Sequence, residues 1–174
     1  MRASSLCFLV SVAMAEGLAA SPGTSESYRK AKASVEKATR GFAEVPKISA
    51  KEVVQLRDQG KRLLLVDVRT KEEMEVSMLR GALTREAFES SSLGEAAKTG
   101  AKFEGPPTDE NQWDVVIPYC TAGYRSGQYA KKLMELGYPE VRNSEGVVLW
   151  THEIGSGLVA AGIGGGSESA AENN

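Results

Sequence analysis

Cys120 is the residue that the sequence places best for nucleophilic chemistry. It directly follows the apolar run Val115–Tyr119, and a helix is expected to begin at Ser126. Between a strand and a helix N-terminus, backbone N–H groups converge and the helix dipole is positive, and both effects favour thiolate over thiol. A free thiol has a pKa of about 8.5, and such surroundings with a nearby arginine lower that pKa by more than about one unit. The sequence therefore predicts a nucleophilic Cys120 at neutral pH.

The loop after Cys120 has the composition of a site for an anionic sulfur compound. Ala122 and Gly123 leave the loop without bulk, and Arg125 adds a fixed positive charge. Converging N–H donors would stabilise a persulfide anion on Cys120 as they stabilise a thiolate. The alternative is a strand-to-helix turn that buries an inert cysteine and holds Arg125 in a surface ion pair.

Strands and helices alternate on both sides of this loop. The predicted strands are Lys47–Ile48, Leu63–Val66, Val115–Tyr119 and Glu140–Asn143. Predicted helices follow the N-caps Ser49 and Thr70, and others cover Arg85–Glu89, Ser126–Leu136 and Gly146–His152. The alternation predicts an α/β fold with a mostly parallel central sheet flanked by helices. Ligands of such sheets bind at the carboxyl ends of the strands, where Cys120 stands.

Two apolar patterns predict how these elements pack. The continuous run Leu63–Val66 is typical of a strand buried on both faces. The helix after the loop carries Ala130, Leu133, Met134 and Gly137 at the spacing of one helical face, which is expected to lie on the sheet. Gly137 also stands where a helix commonly ends.

The segment from Pro118 to Ser126, with the sequence PYCTAGYRS, resembles the active-site loop of rhodanese-like sulfurtransferases. Residues Leu65–Arg69 resemble the strand of that family that ends in Asp-x-Arg, and Asn143–Trp150 resembles its closing segment. The resemblance covers residues 46–160 and implies a rhodanese-like fold in a single domain. The sequence departs from the family pattern at Ser77–Ala82, where Gly-His-Ile-Pro usually precedes Gly-Ala, and at Glu145, where glycine is common.

Loop length distinguishes this resemblance from a neighbouring one. Four residues separate Cys120 from Arg125. Related phosphatases and arsenate reductases use a loop one residue longer to hold a tetrahedral oxyanion, so the shorter loop favours sulfur over phosphate.

The resemblance implies a role for each residue of the site. Cys120 would be the nucleophile and persulfide carrier, and Tyr124 would line the mouth of the pocket. The anion would be held by the loop residues Thr121, Ala122, Gly123, Tyr124, Arg125 and Ser126.

Charged and aromatic residues outside the loop have supporting roles in this interpretation. Arg125 would bind the anionic end of the donor or pair with Asp67 to brace the loop. Arg69 would brace the structure or form a basic rim of the site. Trp150 and His152 are expected to pack at the margin of the sheet rather than to act in catalysis.

The implied activity is transfer of sulfane sulfur from a small donor such as thiosulfate to cyanide or a thiol, through a persulfide on Cys120. A thioredoxin-like reductant is a further candidate partner. The alternative is a non-catalytic rhodanese module that serves protein docking or redox and sulfur sensing.

Composition excludes several other classes of function. With a formal net charge of -2 and 25% charged residues, the chain offers no electrostatic case for binding nucleic acid or an anionic membrane. No cluster of cysteine and histidine indicates a metal, and no glycine-rich phosphate loop indicates a nucleotide, so no cofactor is expected.

The ends of the chain are expected to lie outside the domain. Residues 1–20 have the pattern of a cleavable targeting segment, with a secretory signal favoured over a mitochondrial or chloroplast transit peptide. Its apolar core is too short for a membrane span, so none is expected in the mature chain. Cys7 lies within it, which leaves Cys120 as the one thiol and no disulfide. Residues 21–45 are interpreted as a linker with at most a short amphipathic helix over Ala31–Arg40, and residues 161–174 as a disordered tail.

Overall fold

A computed structural model describes residues 25–90, 113–138 and 140–159 of the chain. The described helices are α1 (Glu26–Thr39), α2 (Ala50–Asp58), α3 (Lys71–Val76), α4 (Arg85–Ser90), α5 (Tyr124–Glu135) and α6 (Val147–Glu153). The described strands are β1 (Lys47–Ile48), β2 (Leu63–Asp67), β3 (Met78–Leu79), β4 (Leu83–Thr84), β5 (Val115–Tyr119), β6 (Asn143–Ser144) and β7 (Leu158–Val159). The predicted targeting segment, the loop before β5 and the C-terminal tail fall largely or wholly outside the described residues.

The central sheet is parallel. Strand β2 lies between β4 and β5, and its register with β5 runs from Leu63 opposite Val115 to Asp67 opposite Tyr119. Strands β1 and β6 form a second parallel pair, which a single parallel bridge between Val116 and Val141 joins to β5. Strands β3 and β7 add a short antiparallel ribbon. The α/β fold with a mostly parallel sheet is therefore confirmed.

The sheet is covered on both faces, which explains the continuous apolar run of β2. Leu64 and Val66 pack with residues of α4 and α5. Leu65 points to the opposite face, where it packs with residues of α2 and α6. Successive side chains of a strand point to opposite faces of the sheet. A strand with both faces covered therefore carries apolar residues at consecutive positions.

The face of α5 differs from the prediction at one position. Ala130 and Leu133 are fully buried, but the side chain of Met134 is 37% exposed, and Leu136 packs in the core instead. Gly137 follows the C-cap residue Leu136 with a φ of 88°, as its place in the sequence predicts.

The described part of the segment interpreted as a linker is ordered against the domain. Ser25 caps α1 by accepting a hydrogen bond from the Tyr28 N–H, and the helix is longer than the short one predicted. Val35 and Thr39 are buried, and the Tyr28 hydroxyl donates to Glu153 at 3.0 Å. Sparse apolar residues among lysines give this helix a weak sequence pattern. Most of its stabilisation comes from tertiary contact, which the local sequence does not show.

Among the described residues, no helix is long and apolar enough to cross a membrane.

Candidate active site at Cys120

Cys120 stands at the carboxyl end of the most deeply buried strand of the sheet. All five residues of β5 are buried, and Cys120 follows them with 2% of its surface exposed. The loop Thr121–Gly123 then turns the chain into α5. This is the strand, loop and helix order that the sequence predicts.

Hydrogen bonds from the first turn of α5 converge on the sulfur. The Gly123 N–H donates to Cys120 Sγ at 3.2 Å, and the Ser126 hydroxyl lies 3.4 Å from the same atom. Gly123 is the N-cap and offers no side-chain oxygen, and Sγ instead accepts from the backbone N–H of Ser126, which is the bond that a capping side chain would accept. The sulfur thus takes the helix-capping role, and the helix begins at Tyr124 rather than Ser126.

This arrangement lowers the pKa of the Cys120 thiol. Burial by itself raises that pKa, because it disfavours the charged form. Hydrogen bonds from the Ser126 hydroxyl and from the backbone N–H groups of Ser126, Ala122 and Gly123 outweigh burial, and the pKa lies below its ordinary value. A thiolate at this position is the attacking species of sulfur chemistry.

Removal of the Ser126 hydroxyl is expected to weaken the thiolate. In Ser126→Ala one donor to Sγ is lost, so we expect the pKa of Cys120 to rise by about half a unit to one unit. The rate of alkylation by iodoacetamide, measured against pH, should then show its inflection at higher pH and a smaller rate near neutrality. An unchanged pH profile would show that the hydroxyl does not support the thiolate.

Arg125 forms an ion pair across the mouth of the site, and its partner differs from the one weighed in the sequence analysis. Its two terminal nitrogens donate to the two oxygens of Glu73 at 2.6 and 2.8 Å, whereas Asp67 is occupied elsewhere. Thr121 Oγ1 also donates to Glu73 at 2.6 Å. The pairing of Arg125 with Asp67 is therefore wrong, and Glu73 is the acid that ties the loop to α3.

Glu73 was not recognised from sequence as part of the site. It also completes the capping box of α3, in which the Thr70 N–H donates to its carboxylate. Hydrogen bonds from Arg125, from Thr121 and from the Thr70 N–H hold the pKa of this carboxyl well below its usual range despite partial burial. The stabilisation by the pair is therefore fully present above the pKa of an unfolded glutamate, about 4.3, and is lost progressively as the pH falls from there through the lower pKa of the folded state. The capping-box pattern was the available signal, but it predicts a helix start and not a second partner.

Asp67 and Arg69 form a buried pair beneath the site. Arg69 donates to the two Asp67 oxygens at 2.6 to 3.1 Å, and it also donates to the carbonyl of Ser77. Their side chains are 0% and 5% exposed. Asp67 is opposite Tyr119 in the sheet, and the Tyr119 hydroxyl accepts from the Leu79 N–H at 3.1 Å. This geometry supports the bracing role expected for Arg69.

The closing segment holds the loop from the other side. Asn143, 1% exposed, donates from Nδ2 to the Gly123 carbonyl at 2.9 Å. The N–H groups of Val147 and Val148, at the start of α6, donate to the carbonyls of Cys120 and Thr121. These carbonyls then cannot rotate toward the sulfur, and the N–H side of the loop faces it.

Gly146 has no side chain and therefore allows the closing segment to lie close to the Cys120 loop. Its substitution has a clear expected effect. It has a φ of 96°, and a Cβ there would lie 2.5 Å from the Thr121 carbonyl oxygen. We expect Gly146→Ala to lower the free energy of unfolding by about 2–3 kcal/mol through strain and forced loop movement. Chemical denaturation would measure the change.

Gly81→Ala is the matched control for that substitution. Gly81 has a φ of 78°, but no atom lies within 4 Å of its would-be Cβ. Its cost should be confined to the backbone conformation, about 1 kcal/mol. Equal losses in the two variants would contradict the close approach of Gly146 to the loop.

Trp150, His152 and Tyr124 are the other side chains that the sequence singled out. Trp150 is 4% exposed and donates from its indole to the Ser156 carbonyl, and His152 packs edge-on against Tyr28. Tyr124, the first residue of α5, is 52% exposed and stacks edge-on against Phe42, and its role at the pocket mouth stays a prediction.

Comparison with known proteins identifies the family. A model of the rhodanese-like domain matches residues 49–153, which is more than half of the chain. The chain belongs to the rhodanese-like domain family.

Solved structures similar to this rhodanese-like chain carry related descriptions. A rhodanese with anions from E. coli is 27% identical, with 57% of this chain and 99% of that chain covered and a TM-score of 0.39. A human single domain sulfurtransferase is also 27% identical, with 59% and 90% covered and a TM-score of 0.42. The polysulfide-sulfur transferase homodimer from Wolinella succinogenes is 21% identical, with 80% and 93% covered and a TM-score of 0.45. No curated protein matches the chain.

In the two segments where this rhodanese-like domain departs from the family pattern, the backbone forms local hydrogen bonds. In the segment Ser77–Ala82, the Leu79 N–H binds Tyr119 and the Arg80 N–H donates to the Gly157 carbonyl of the β3–β7 ribbon. At Glu145 the N–H donates to the Ile48 carbonyl, and the tight approach to the loop falls on the next residue, Gly146. The substitutions therefore leave the Cys120 loop in place.

Within the described part of this rhodanese-like chain, no group of three or more histidine, cysteine, aspartate and glutamate side chains is arranged to hold a metal ion.

Proposed function

We propose that the chain is a sulfurtransferase that carries sulfane sulfur as a persulfide on Cys120. The observation that supports this most directly is the Sγ atom at the start of α5, which accepts hydrogen bonds from Gly123 and Ser126 and has a lowered pKa. The same donors would stabilise the negative charge of a terminal persulfide sulfur.

The first half-reaction charges the cysteine. With thiosulfate as donor, the Cys120 thiolate attacks the outer sulfur, a new S–S bond forms, and the S–S bond of thiosulfate breaks. Sulfite leaves with the bonding electron pair, and the negative charge remains on the terminal sulfur of Cys120. No external oxidant or reductant is needed.

The second half-reaction removes the terminal sulfur from the Cys120 persulfide. Cyanide or a thiolate attacks the terminal sulfur, and Cys120 leaves as thiolate with the pair of the broken S–S bond. Cyanide yields thiocyanate, and a thiol yields a persulfide. The N–H donors that favour thiolate make Cys120 a good leaving group here, because a low pKa eases departure.

Positive charge near the loop suits an anionic donor. Arg125 lines an open cleft of about 260 Å³ whose other lining residues are Val68, Arg85, Gln128, Tyr129 and Lys132. Because Glu73 binds Arg125 and Glu89 binds Arg85, the additional charge of Lys132 supports attraction of a donor.

The test is the intact mass of the protein after exposure to thiosulfate. A gain of one sulfur, about 32 Da, that cyanide removes would demonstrate both half-reactions. Absence of the adduct with thiosulfate, mercaptopyruvate and a polysulfide would contradict the proposed sulfurtransferase activity and favour a non-catalytic module.

That alternative is a non-catalytic module for docking or for sensing redox state or sulfur. It is favoured by the 2% exposure of Cys120, since a donor must reach the sulfur through the loop. The hydrogen bonds at Sγ favour the enzyme, because an inert buried thiol needs no donors.

We further propose that residues 1–20 export the chain and that a thioredoxin-like protein can serve as the thiol acceptor. The apolar leader pattern supports the first proposal. The single reactive thiol expected in the mature chain supports the second, because a lone Cys120 cannot discharge itself through an internal disulfide.

A further inference from the structure

We propose that Thr39 and Phe42 are positioning residues of the Cys120 loop. Both precede the part of the chain that matches the family, which begins at residue 49. The inference rests on the proposed function in one respect only: Cys120 is taken as the reactive group. It assigns to an N-terminal extension the task of fixing the N–H donors that face the sulfur.

Thr39 fills the space beside Gly123. A Cβ at Gly123 would lie 2.6 Å from the Thr39 methyl carbon, so that methyl group lies directly against the glycine backbone. The Gly123 carbonyl accepts from Asn143. Gly123 is therefore packed against a methyl group and hydrogen-bonded to an amide, and its N–H is the donor that points to Cys120 Sγ.

Phe42 performs the same task one turn later. A Cβ at Gly127 would lie 2.6 Å from the Phe42 ring, so the ring packs against the backbone of α5. The ring also stacks edge-on on Tyr124, with centroids 5.6 Å apart. The first turn of the helix, which donates to Sγ, is thus covered by an aromatic ring from outside the family domain.

The segment that supplies these residues is itself anchored at several points. Thr39 is 1% exposed, and its hydroxyl donates to the Val35 carbonyl and accepts from Lys47 at 2.9 Å. Lys131 of α5 pairs with Glu44 at 3.0 Å. The Thr39 methyl therefore has a fixed place, as a positioning group must.

Two substitutions of Thr39 separate its methyl group from its hydroxyl. Thr39→Ser removes the methyl beside Gly123 and keeps the hydroxyl, whereas Thr39→Val keeps a methyl and removes the hydroxyl. We expect the Ser variant to raise the pKa of Cys120 by about half a unit, which lowers the thiolate population by about threefold at pH values well below that pKa. The Val variant should retain the pKa even where it unfolds more easily.

Phe42→Ala provides an independent second variant, and Tyr28→Phe is its control. Phe42→Ala should raise the thiol pKa at least as far as Thr39→Ser. Tyr28→Phe loses the bond to Glu153 at the distant end of α1 and should leave the pKa unchanged. Each protein carries Cys7→Ser, and the thiolate is titrated by its ultraviolet absorbance, with thermal unfolding recorded in parallel.

The outcomes separate positioning from bulk stability. Loss of stability in Thr39→Ser and Phe42→Ala without a change in thiol pKa would overturn the inference, as would an equal shift in Thr39→Val. If Phe42→Ala fails to fold, the Thr39 pair decides alone. The titration needs no sulfur transfer, so a shifted pKa without any persulfide would refute the proposed enzyme and leave this inference standing.

Discussion

Cys120→Ser is expected to reduce sulfur transfer from thiosulfate to cyanide by more than about 10³-fold, to the level of the uncatalysed reaction. A serine hydroxyl is far less acidic than the thiol and cannot hold a sulfur atom as a persulfide. Because the side chain is buried and nearly the same size, the fold should be retained. Thiocyanate production measures the loss, and the absence of a mass gain identifies the step that fails.

Cys7→Ser is the matched control, because it removes the only other cysteine of the chain. It should retain both the mass gain and the transfer rate. A sulfur adduct that persists in Cys120→Ser, or disappears in Cys7→Ser, would place the chemistry at the wrong residue and contradict the proposed mechanism.

Asp67→Ala is expected to produce the largest loss of stability, about 3–5 kcal/mol. The substitution leaves the guanidinium of Arg69, 5% exposed, buried without its carboxylate. The free energy of unfolding in urea measures the change, with the transition followed by tryptophan fluorescence.

Asp114→Ala tests whether burial is the cause of the large loss of stability expected for Asp67→Ala. Asp114 also pairs with an arginine, Arg62, at 3.7 Å and accepts from the Arg62 N–H at 2.8 Å, but both side chains are at least one-third exposed. An exposed pair is weak, so its loss should be much smaller than that of the Asp67 variant. Similar losses of stability in the two variants would show that burial at the strand end does not increase the contribution of the Asp67–Arg69 pair.

The local pattern around the site was sufficient to predict its core. A fully apolar strand, a cysteine and a small-residue turn before an amphipathic helix have one favourable arrangement, because the strand must be buried and the turn must be tight. Cys120 accordingly lies at a strand end with Gly123 and Ser126 directed at its sulfur. The capping box at Ser49 and the N-cap at Thr70 likewise predicted two helix starts, since the residues that form each cap lie within four positions of one another.

Contacts between distant residues could not be predicted in this way. Arg125 and Glu73 are 52 positions apart, and several acids could have served as the partner of Arg125 until the fold placed α3 beside the loop. The same is true of Thr39 and Phe42, whose surroundings in the sequence are lysine-rich and indicate little burial. Their packing on Gly123 and Gly127 depends on the absence of side chains at those glycines, which the sequence shows but does not connect to a partner.

The sequence by itself determined the α/β alternation, the place of Cys120 and the length of its loop, because these follow from hydrophobic periodicity, capping and turn chemistry within short windows. Only the tertiary structure decided which acid holds Arg125, that Asp67 belongs to Arg69, and that the N-terminal helix packs against the loop. Those choices depend on which elements become neighbours when the sheet forms, and side-chain pairing energies of a few kcal/mol act only after that arrangement exists.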